Sequence, residues 1–304
     1  MKRGTIVLLL ACVTLALPAR ASAHARSATV ALDYRLVLDR ETRSLPGVTV
    51  GILDGDRSLH VVTHGSTIVV DGDLGESMLR IGPAGVWVNQ ASVTAAAEKL
   101  ATAGHGWKKL SSATAYTWHE HRLAPPPWQS RTGAVAQFAI AAKIDGKRAQ
   151  IGGTFVRYSR PVMWPWLGAA LAFAALVVLA LRLGRPLTTA LGALAGLAAL
   201  ASLVAFSVAD APNGRVAWVQ IVLGIGLGAA MYGALVRAHG PRRSAIAGLL
   251  GGAAAAVSLG SLGVFRHGVV ISALPATASR ILVEIAFIAG VAAAATSLRR
   301  ESLR

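Results

Sequence analysis

The sequence is poor in cysteine, in acidic residues and in recognisable catalytic motifs. Its only cysteine, Cys12, lies in an N-terminal apolar segment, so a chain processed after that segment has neither disulfides nor thiolate metal ligands. The chain also has no G-x-S-x-G elbow, no Walker A loop and no H-E-x-x-H pair. These absences argue against an enzyme, and we expect a protein without catalytic activity.

Acidic residues are outnumbered by basic ones, 14 to 30, which gives a formal net charge of +16. Residues 24–160 hold 16 basic and 11 acidic residues, and residues 161–304 hold 11 and 3. Half of the excess therefore lies beside apolar runs, where basic residues set membrane topology. The sequence shows no basic groove interleaved with aromatic residues, which argues against nucleic acid as a partner.

The N-terminus has the features of a secretory signal. A basic start precedes an apolar run over residues 5–17 and the small-x-small sequence Ala21–Ala23. Cleavage there gives a signal peptide of residues 1–23 and a mature chain that begins at His24. The alternative is a lipoprotein signal at Leu9–Cys12, although the apolar core before that cysteine is short.

Residues 24–160 show the period-two alternation of strands. From Val30 to Asp39 apolar and charged residues alternate, which indicates a half-buried strand. Asp-Gly pairs at Asp54 and Asp145 predict tight hairpin turns, and the run from Ser92 to Gly104 predicts a short helix. Further strands are predicted over 48–53, 58–63, 67–71, 78–81, 86–89, 115–123, 134–144 and 149–158. Many short strands with glycine-rich turns predict an exported antiparallel β-sandwich.

After Arg160 the composition becomes strongly apolar. Four runs without charge, and a fifth broken only by Glu284, are long enough to span a bilayer. The predicted spans are 161–181, 186–209, 216–236, 244–265 and 281–298. The prediction is thus an α+β multidomain membrane protein in which the sandwich is followed by an all-α transmembrane bundle. Glycines four residues apart, at Gly224–Gly228 and Gly248–Gly252, suit tight packing within this bundle or, alternatively, a homodimer seam.

The basic residues predict how the five spans are oriented. If the β-domain is exported, the loops and tail on the cytoplasmic side hold Arg182, Arg185, Arg237, Arg242, Arg243, Arg299, Arg300 and Arg304. The outer loops hold only Arg215, Arg266 and Arg280. This bias agrees with the signal peptide, and both predict a multi-pass plasma-membrane protein with an extracytoplasmic N-terminal domain and a cytoplasmic C-terminus.

The segment YTWHEHRL, Tyr116 to Leu123, holds the candidate metal ligands. On a strand, His119 and His121 share a face with their roots about 7 Å apart, a spacing at which two imidazoles can bind one zinc or copper ion. His24 is the candidate third ligand, because an N-terminal amine and its imidazole can chelate Cu(II) together. Glu120 points to the opposite face in this arrangement. The alternative is that both strand histidines face solvent near the end of an edge strand.

Two motifs carry a resemblance to other proteins. LRIGPAGVWVN, within Gly75–Ser92, and WHEHR, followed by IGGTF at Ile151–Phe155, resemble a group of bacterial membrane proteins with an exported β-domain and a C-terminal helical bundle. In that group the second motif tends to continue to another histidine, whereas Leu123, Ala124 and Pro125 follow here. The sequence AHA at the cleavage site is similar to the start of periplasmic copper-binding CopC-type proteins. The resemblance implies a role in envelope metal handling.

Two expectations for function follow from the sequence. In the first, the exported domain binds a ligand through its histidines, with copper as the first guess and zinc as the other metal. In the second, the domain is a structural module or docks another envelope protein, and the histidines are incidental. Glu284, the one acid within a predicted span, is either a functional group or the helix-end partner of Arg280.

Overall fold

The computed structural model describes residues 30–302 except 54, 56, 103, 127–129, 183–186 and 210–217. The predicted signal peptide and His24 lie outside the described residues. The chain forms two compact units. The β-domain spans Leu32–Ser159, and the helical unit holds the described residues from Arg160 onward together with Val30 and Ala31. The chain is thus a mixed α+β protein.

The β-domain is built from two antiparallel sheets. The two-residue strand β1 (Ala31–Leu32) lies in neither of these sheets. Their strands are β2 (Tyr34–Leu38), β3 (Val48–Leu53), β4 (Ser58–Thr63), β5 (Ile68–Asp71), β6 (Ser77–Gly82), β7 (Gly85–Asn89), β8 (Trp107–Ser111), β9 (Ala115–His119), β10 (Gly133–Ile144) and β11 (Lys147–Arg157). One sheet has seven strands in the order β2-β11-β10-β5-β6-β7-β8, and the other has three in the order β3-β4-β9. The strand pairs within these two sheets are antiparallel.

Each predicted strand overlaps an observed one, with two notable differences. The strand expected over 115–123 ends at His119. Strand β8 was not predicted, because Lys108 and Lys109 are both exposed and break the alternation of apolar and polar residues. β8 is an edge strand of the larger sheet, where exposed lysines are common because they hinder pairing with another chain.

Of the two predicted Asp-Gly turns one is confirmed, whereas Asp54 of the other lies outside the described residues; the predicted helix needs a correction. Asp145 and Gly146 have φ angles of 48° and 80° between β10 and β11, which matches the predicted tight hairpin turn. The helix expected from Ser92 to Gly104 covers only α2 (Val93–Ala97). It ends early because Lys99 adopts a φ of 58°, outside the helical region. A second short helix, α1 (Arg40–Arg43), precedes β3.

The two sheets share one hydrophobic core. Leu59 and Val61 of the three-stranded sheet are fully buried, as are Leu79, Ile81 and Val88 of the seven-stranded sheet, and all belong to a single cluster. Their alternation along each strand is what the period of two in the sequence requires. The residues between them on the larger sheet, Arg80 and Trp87 among them, are less buried and lie on its other face.

The helical unit contains five helices among its described residues: α3 (Met163–Arg182), α4 (Thr188–Ala209), α5 (Trp218–Arg237), α6 (Gly240–Leu259) and α7 (Ala276–Ser302). Within the part of the chain that the structure describes, three helical segments are long and apolar enough to cross a membrane, namely Met163–Ala180, Thr188–Ala209 and Ala276–Leu298. A shorter apolar helix covers Ile221–Arg237. This part of the chain is consistent with an integral membrane protein.

The observed helix bounds differ from the fourth and fifth predicted spans. Helix α6 runs over Gly240–Leu259 rather than 244–265, and a 3-10 turn at Leu262–Phe265 follows it. Helix α7 begins at Ala276, before Arg280, because Pro275 is tolerated at a helix start. Reading a charge as a helix boundary therefore placed the start of this helix too late.

Arg280 stabilises the turn before α7 rather than pairing with Glu284. Its side chain is 8% exposed, and its Nε donates to the carbonyl oxygen of Val264 at 2.8 Å. Its Nη2 donates to the carbonyl oxygen of His267 at 3.1 Å. The expected helix-end ion pair is thus replaced by hydrogen bonds to backbone oxygens that the end of a helix leaves without partners.

Small residues let three of the helices approach closely. A Cβ atom built on Gly192 of α4 would lie 2.3 Å from the carbonyl oxygen of Ala247 in α6. One built on Gly290 of α7 would lie 2.4 Å from the carbonyl oxygen of Gly251 in α6. Gly248, one of the predicted contact glycines, faces Ser297 of α7. These contacts lie within a single helical unit, as expected where helices pack through small side chains.

Candidate functional site

The segment YTWHEHRL changes direction in its middle. Strand β9 ends at His119, and residues His121–Leu123 form a 3-10 turn. The Glu120 carboxylate accepts the backbone N–H of Arg122, which caps this turn, and the Glu120 N–H donates to the carbonyl oxygen of Arg57 at 3.0 Å. The sequence pattern predicted that His119 and His121 share one face of a continuous strand. This prediction is wrong, because the strand ends between them.

Glu120 is a fully buried carboxylate that is held by its own neighbours. Its Oε1 accepts from Arg122 Nε at 2.7 Å, and its Oε2 accepts from Arg122 Nη2 at 2.8 Å. The indole Nε1 of Trp118 donates to Oε2 at 3.0 Å. Arg122 also donates through Nη1 to the carbonyl oxygen of Asp71, at 3.0 Å. The Asp71 contact ties the turn to strand β5, and the two-pronged pairing with Arg122 satisfies a charge that could not otherwise be buried.

His121 lies between two further carboxylates. Its Nε2 is 2.8 Å from Oδ2 of Asp73, its Nδ1 contacts Oε1 of Glu98, and its backbone N–H donates to that same Glu98 oxygen at 2.8 Å. An imidazole with a carboxylate at each ring nitrogen donates at both positions only when it is protonated. The contacts thus favour an imidazolium that links the β5–β6 turn to the residue that ends α2.

These surroundings shift three pKa values. Burial alone would lower the pKa of His121, but the Glu98 hydrogen bond and the charges of Asp73, Glu98 and Glu120 outweigh burial and raise that pKa above 6.5. Burial would raise the pKa of Glu120, but the Arg122 guanidinium and the Trp118 hydrogen bond hold it below its usual value. The pKa of Arg122 is raised, because Glu120 outweighs the effect of burial. All three shifts favour the charged forms.

Helix α2 is positioned by the carboxylate of Glu76. Ser92 is its N-cap and accepts the N–H of Ala95 at 3.0 Å. Oε1 of Glu76 accepts two hydrogen bonds, one from the Ser92 hydroxyl at 2.8 Å and one from the N–H of Thr94 at 3.1 Å. Burial opposes ionisation of Glu76, but these hydrogen bonds lower its pKa to about 2. The cap orients the short helix whose end presents Glu98 to His121.

One group among the described residues meets the spacing of a metal site. Ligand atoms of Glu98, Glu120 and His121 lie within 4.8 Å of one another. Glu120, however, already shares both oxygens with Arg122 and Trp118. Glu98 contacts Nδ1 of His121, whereas Asp73 contacts Nε2 on the other side of the ring. A metal ion bound to either nitrogen therefore cannot have both carboxylates as ligands.

The three predicted metal ligands are placed differently from one another. His121 lies in this charge network, and His119 is exposed at the end of β9 opposite Ser58 and is not part of the metal-spaced group. His24 lies outside the described residues. Asp73 and Glu98 were not predicted as site residues, because they lie far from His121 along the chain and carry no motif that marks them as its partners.

A second polar feature crosses the outer face of the seven-stranded sheet. We call it the cation–tryptophan row; its successive cross-strand neighbours are Arg148, Lys143, Val69, Arg80, Trp87 and Lys109. The guanidinium of Arg80 lies 5.3 Å from the ring centroid of Trp87 and 4.9 Å from that of Trp107. The ammonium of Lys109 lies 5.7 Å from the Trp87 centroid. These distances suit cation–π attraction.

No protein-family model, curated protein or solved structure matches this chain. The class of protein is therefore defined by the fold itself. It is an α+β chain in which an N-terminal β-sheet domain precedes helices of membrane-spanning length.

Proposed function

We propose that the chain is a multi-pass protein of the plasma membrane that displays a β-sandwich outside the membrane as a binding module. In this proposal the five helices span the bilayer, and the C-terminus is cytoplasmic. The membrane-length helices and the excess of arginines in the predicted cytoplasmic loops support the arrangement. The module has no catalytic activity and docks another component of the cell envelope.

The observation that carries the binding proposal is the segregation of polar groups in the β-domain. The WHEHR side chains from Glu120 to Arg122 are engaged within the domain, where they brace the turn after β9. The cation–tryptophan row instead lies on the outer face of the sheet, with Lys109 and Arg148 exposed. A surface with ordered charges is suited to recognising a partner of complementary charge.

The membrane arrangement can be tested with reporter fusions. A reporter that is active only in the cytoplasm should give a signal when fused after Arg304 and none when fused after Arg160. A reporter active only outside the cytoplasm should give the reverse pattern at the same two points. A cytoplasmic signal from the Arg160 fusion would overturn the export of the β-domain.

Metal binding is a second candidate function, and the spacing of Glu98, Glu120 and His121 favours it. The group offers one nitrogen and several carboxylate oxygens, a donor set closer to that of zinc than to the nitrogen-rich sites of Cu(II). Binding would require the metal to displace the proton of His121 and to compete with Arg122 for Glu120.

Calorimetric titration of the purified full-length protein with Zn(II) and Cu(II) separates the two functions. The binding-module proposal expects no stoichiometric site. One Zn(II) per chain that is lost in His121→Ala and kept in His119→Ala would support the Glu98–Glu120–His121 group. Loss in both variants, with Cu(II) preferred, would instead support the His24, His119 and His121 ligand set.

A further inference from the structure

The charges of the β-domain are arranged by sign. Carboxylates of Asp73, Glu98 and Glu120 gather around His121, where they are paired. Along the cation–tryptophan row, Lys143 pairs with Asp71 at 3.2 Å, and this carboxylate is 6% exposed. Arg80, Lys109 and Arg148 thus give the row a net positive charge.

The row is a line rather than a patch. Its members are consecutive cross-strand neighbours over six strands, so five strand spacings of about 4.8 Å separate Arg148 from Lys109, about 24 Å in total. A line of cations across a sheet matches a linear ligand with repeated negative charges better than it matches a compact anion.

The indole rings hold the central cation in place. Arg80 lies over both Trp87 and Trp107, within 5.3 Å and 4.9 Å of their centroids. A cation–π contact does not use the N–H groups of a guanidinium as hydrogen-bond donors, and those groups match the oxygens of a phosphate. Because the two indole contacts already restrict the Arg80 side chain, less conformational entropy is lost when an anion binds.

The face has few apolar groups that could insert into a bilayer. Among the residues of the β-domain that the structure describes, the exposed large apolar side chains are Val37, Leu74, Val93 and Tyr158, and none belongs to the row. Peripheral membrane binding generally combines basic residues with exposed apolar anchors. The row therefore fits a polymer in solution better than a lipid surface.

We propose that the cation–tryptophan row binds a linear, phosphate-bearing polymer of the cell envelope. The inference rests on the proposed function, in which the β-domain is a displayed binding module, and it names the class of ligand. Arg80 provides the central contact, Lys109 and Arg148 bind at the two ends, and the ligand lies across the strands of the larger sheet.

The test uses full-length protein in discs of zwitterionic lipid, with labelled inorganic polyphosphate as the probe and fluorescence anisotropy as the measurement. The double variant Lys109→Gln/Arg148→Gln changes two exposed end residues and should weaken binding by about tenfold. Arg80→Gln should weaken it as well, and Arg80→Lys should restore only part of the affinity because lysine lacks the planar fork. The matched control Arg40→Gln/Arg43→Gln removes two exposed charges from α1 and should change the affinity less than about twofold.

Three outcomes would overturn the inference. They are an absence of polyphosphate binding, an equal loss in the control variant, and capture by vesicles rich in phosphatidylglycerol that depends on the row without any polyphosphate binding. Binding in discs does not depend on how the protein is oriented in the cell. A negative result in this test therefore contradicts only the proposed class of ligand. A negative result with the reporter fusions contradicts the proposed export of the β-domain.

Discussion

The β-domain and the helical unit are stabilised in different ways. The β-domain buries large apolar side chains such as Leu59 and Ile81 and includes a buried ion pair between Glu120 and Arg122. The helical unit relies on close backbone approach at glycines such as Gly192 and Gly290. In water, burial of apolar surface drives folding, whereas helices in lipid gain little from that effect and associate through close packing. The two regions should therefore fail through different substitutions.

Replacement of Glu120 should have the largest effect and should act on the β-domain. Glu120→Ala leaves the Arg122 guanidinium and the Trp118 indole N–H without their acceptor, and loss of one partner of a buried ion pair costs about 3–5 kcal/mol. Chemical unfolding of the full-length protein in detergent, followed by tryptophan fluorescence, measures the change. Glu41→Ala, on the exposed surface of α1, is the control and should stay near the wild type. A cost below about 1 kcal/mol would show that the network is not needed for stability.

A larger side chain at Gly290 should act on the helical unit alone. Gly290→Leu forces atoms into the space beside the Gly251 carbonyl oxygen, and overpacking of this kind costs about 1–3 kcal/mol. The heating temperature at which half of the protein aggregates, measured by size-exclusion chromatography in detergent, should fall. Gly226→Leu is the matched control, because a Cβ atom at Gly226 has no neighbour within 4 Å. Equal losses in the two variants would contradict packing as the cause.

The smallest expected effect is a pH dependence that belongs to His121. A pKa raised by folding adds stability that is fully present below about pH 6.5 and is lost as the pH rises through the higher folded-state value. His121→Gln should remove this part of the pH dependence. The change should stay below about 1 kcal/mol, because the side chain is 45% exposed and solvent screens its ion pairs.

The measurement is the unfolding midpoint of the full-length protein at several pH values between 5.5 and 8.5. His119→Gln, which alters the exposed histidine two residues earlier, should keep the pH dependence of the wild type. If His121→Gln left the pH dependence unchanged, or made stability fall more steeply as the pH rises, an imidazolium held by Asp73 and Glu98 would be excluded.

The regular parts of the fold were predictable because they depend on residues close together in sequence. Period-two alternation located β3, β4, β10 and β11, and uninterrupted apolar runs located α3 and α4. The alternation also implied that His119 and His121 share a face, which was wrong. A side-chain cap by Glu120 ended the strand, and local hydrogen bonds of this kind can replace a strand ladder without a mark in the hydrophobic pattern.

The sequence by itself determined which segments are strands, which are apolar enough to enter a membrane, and where basic residues accumulate, since each depends on local composition. Only the tertiary structure decided the partners of those residues. Asp73, Glu98 and His121 meet because a turn, a short helix and the end of a strand converge, and Arg80, Trp87 and Lys109 meet because three strands pair in one register. Folding sets such contacts through strand register and side-chain packing over long separations, and neither is written in the spacing of residues along the chain.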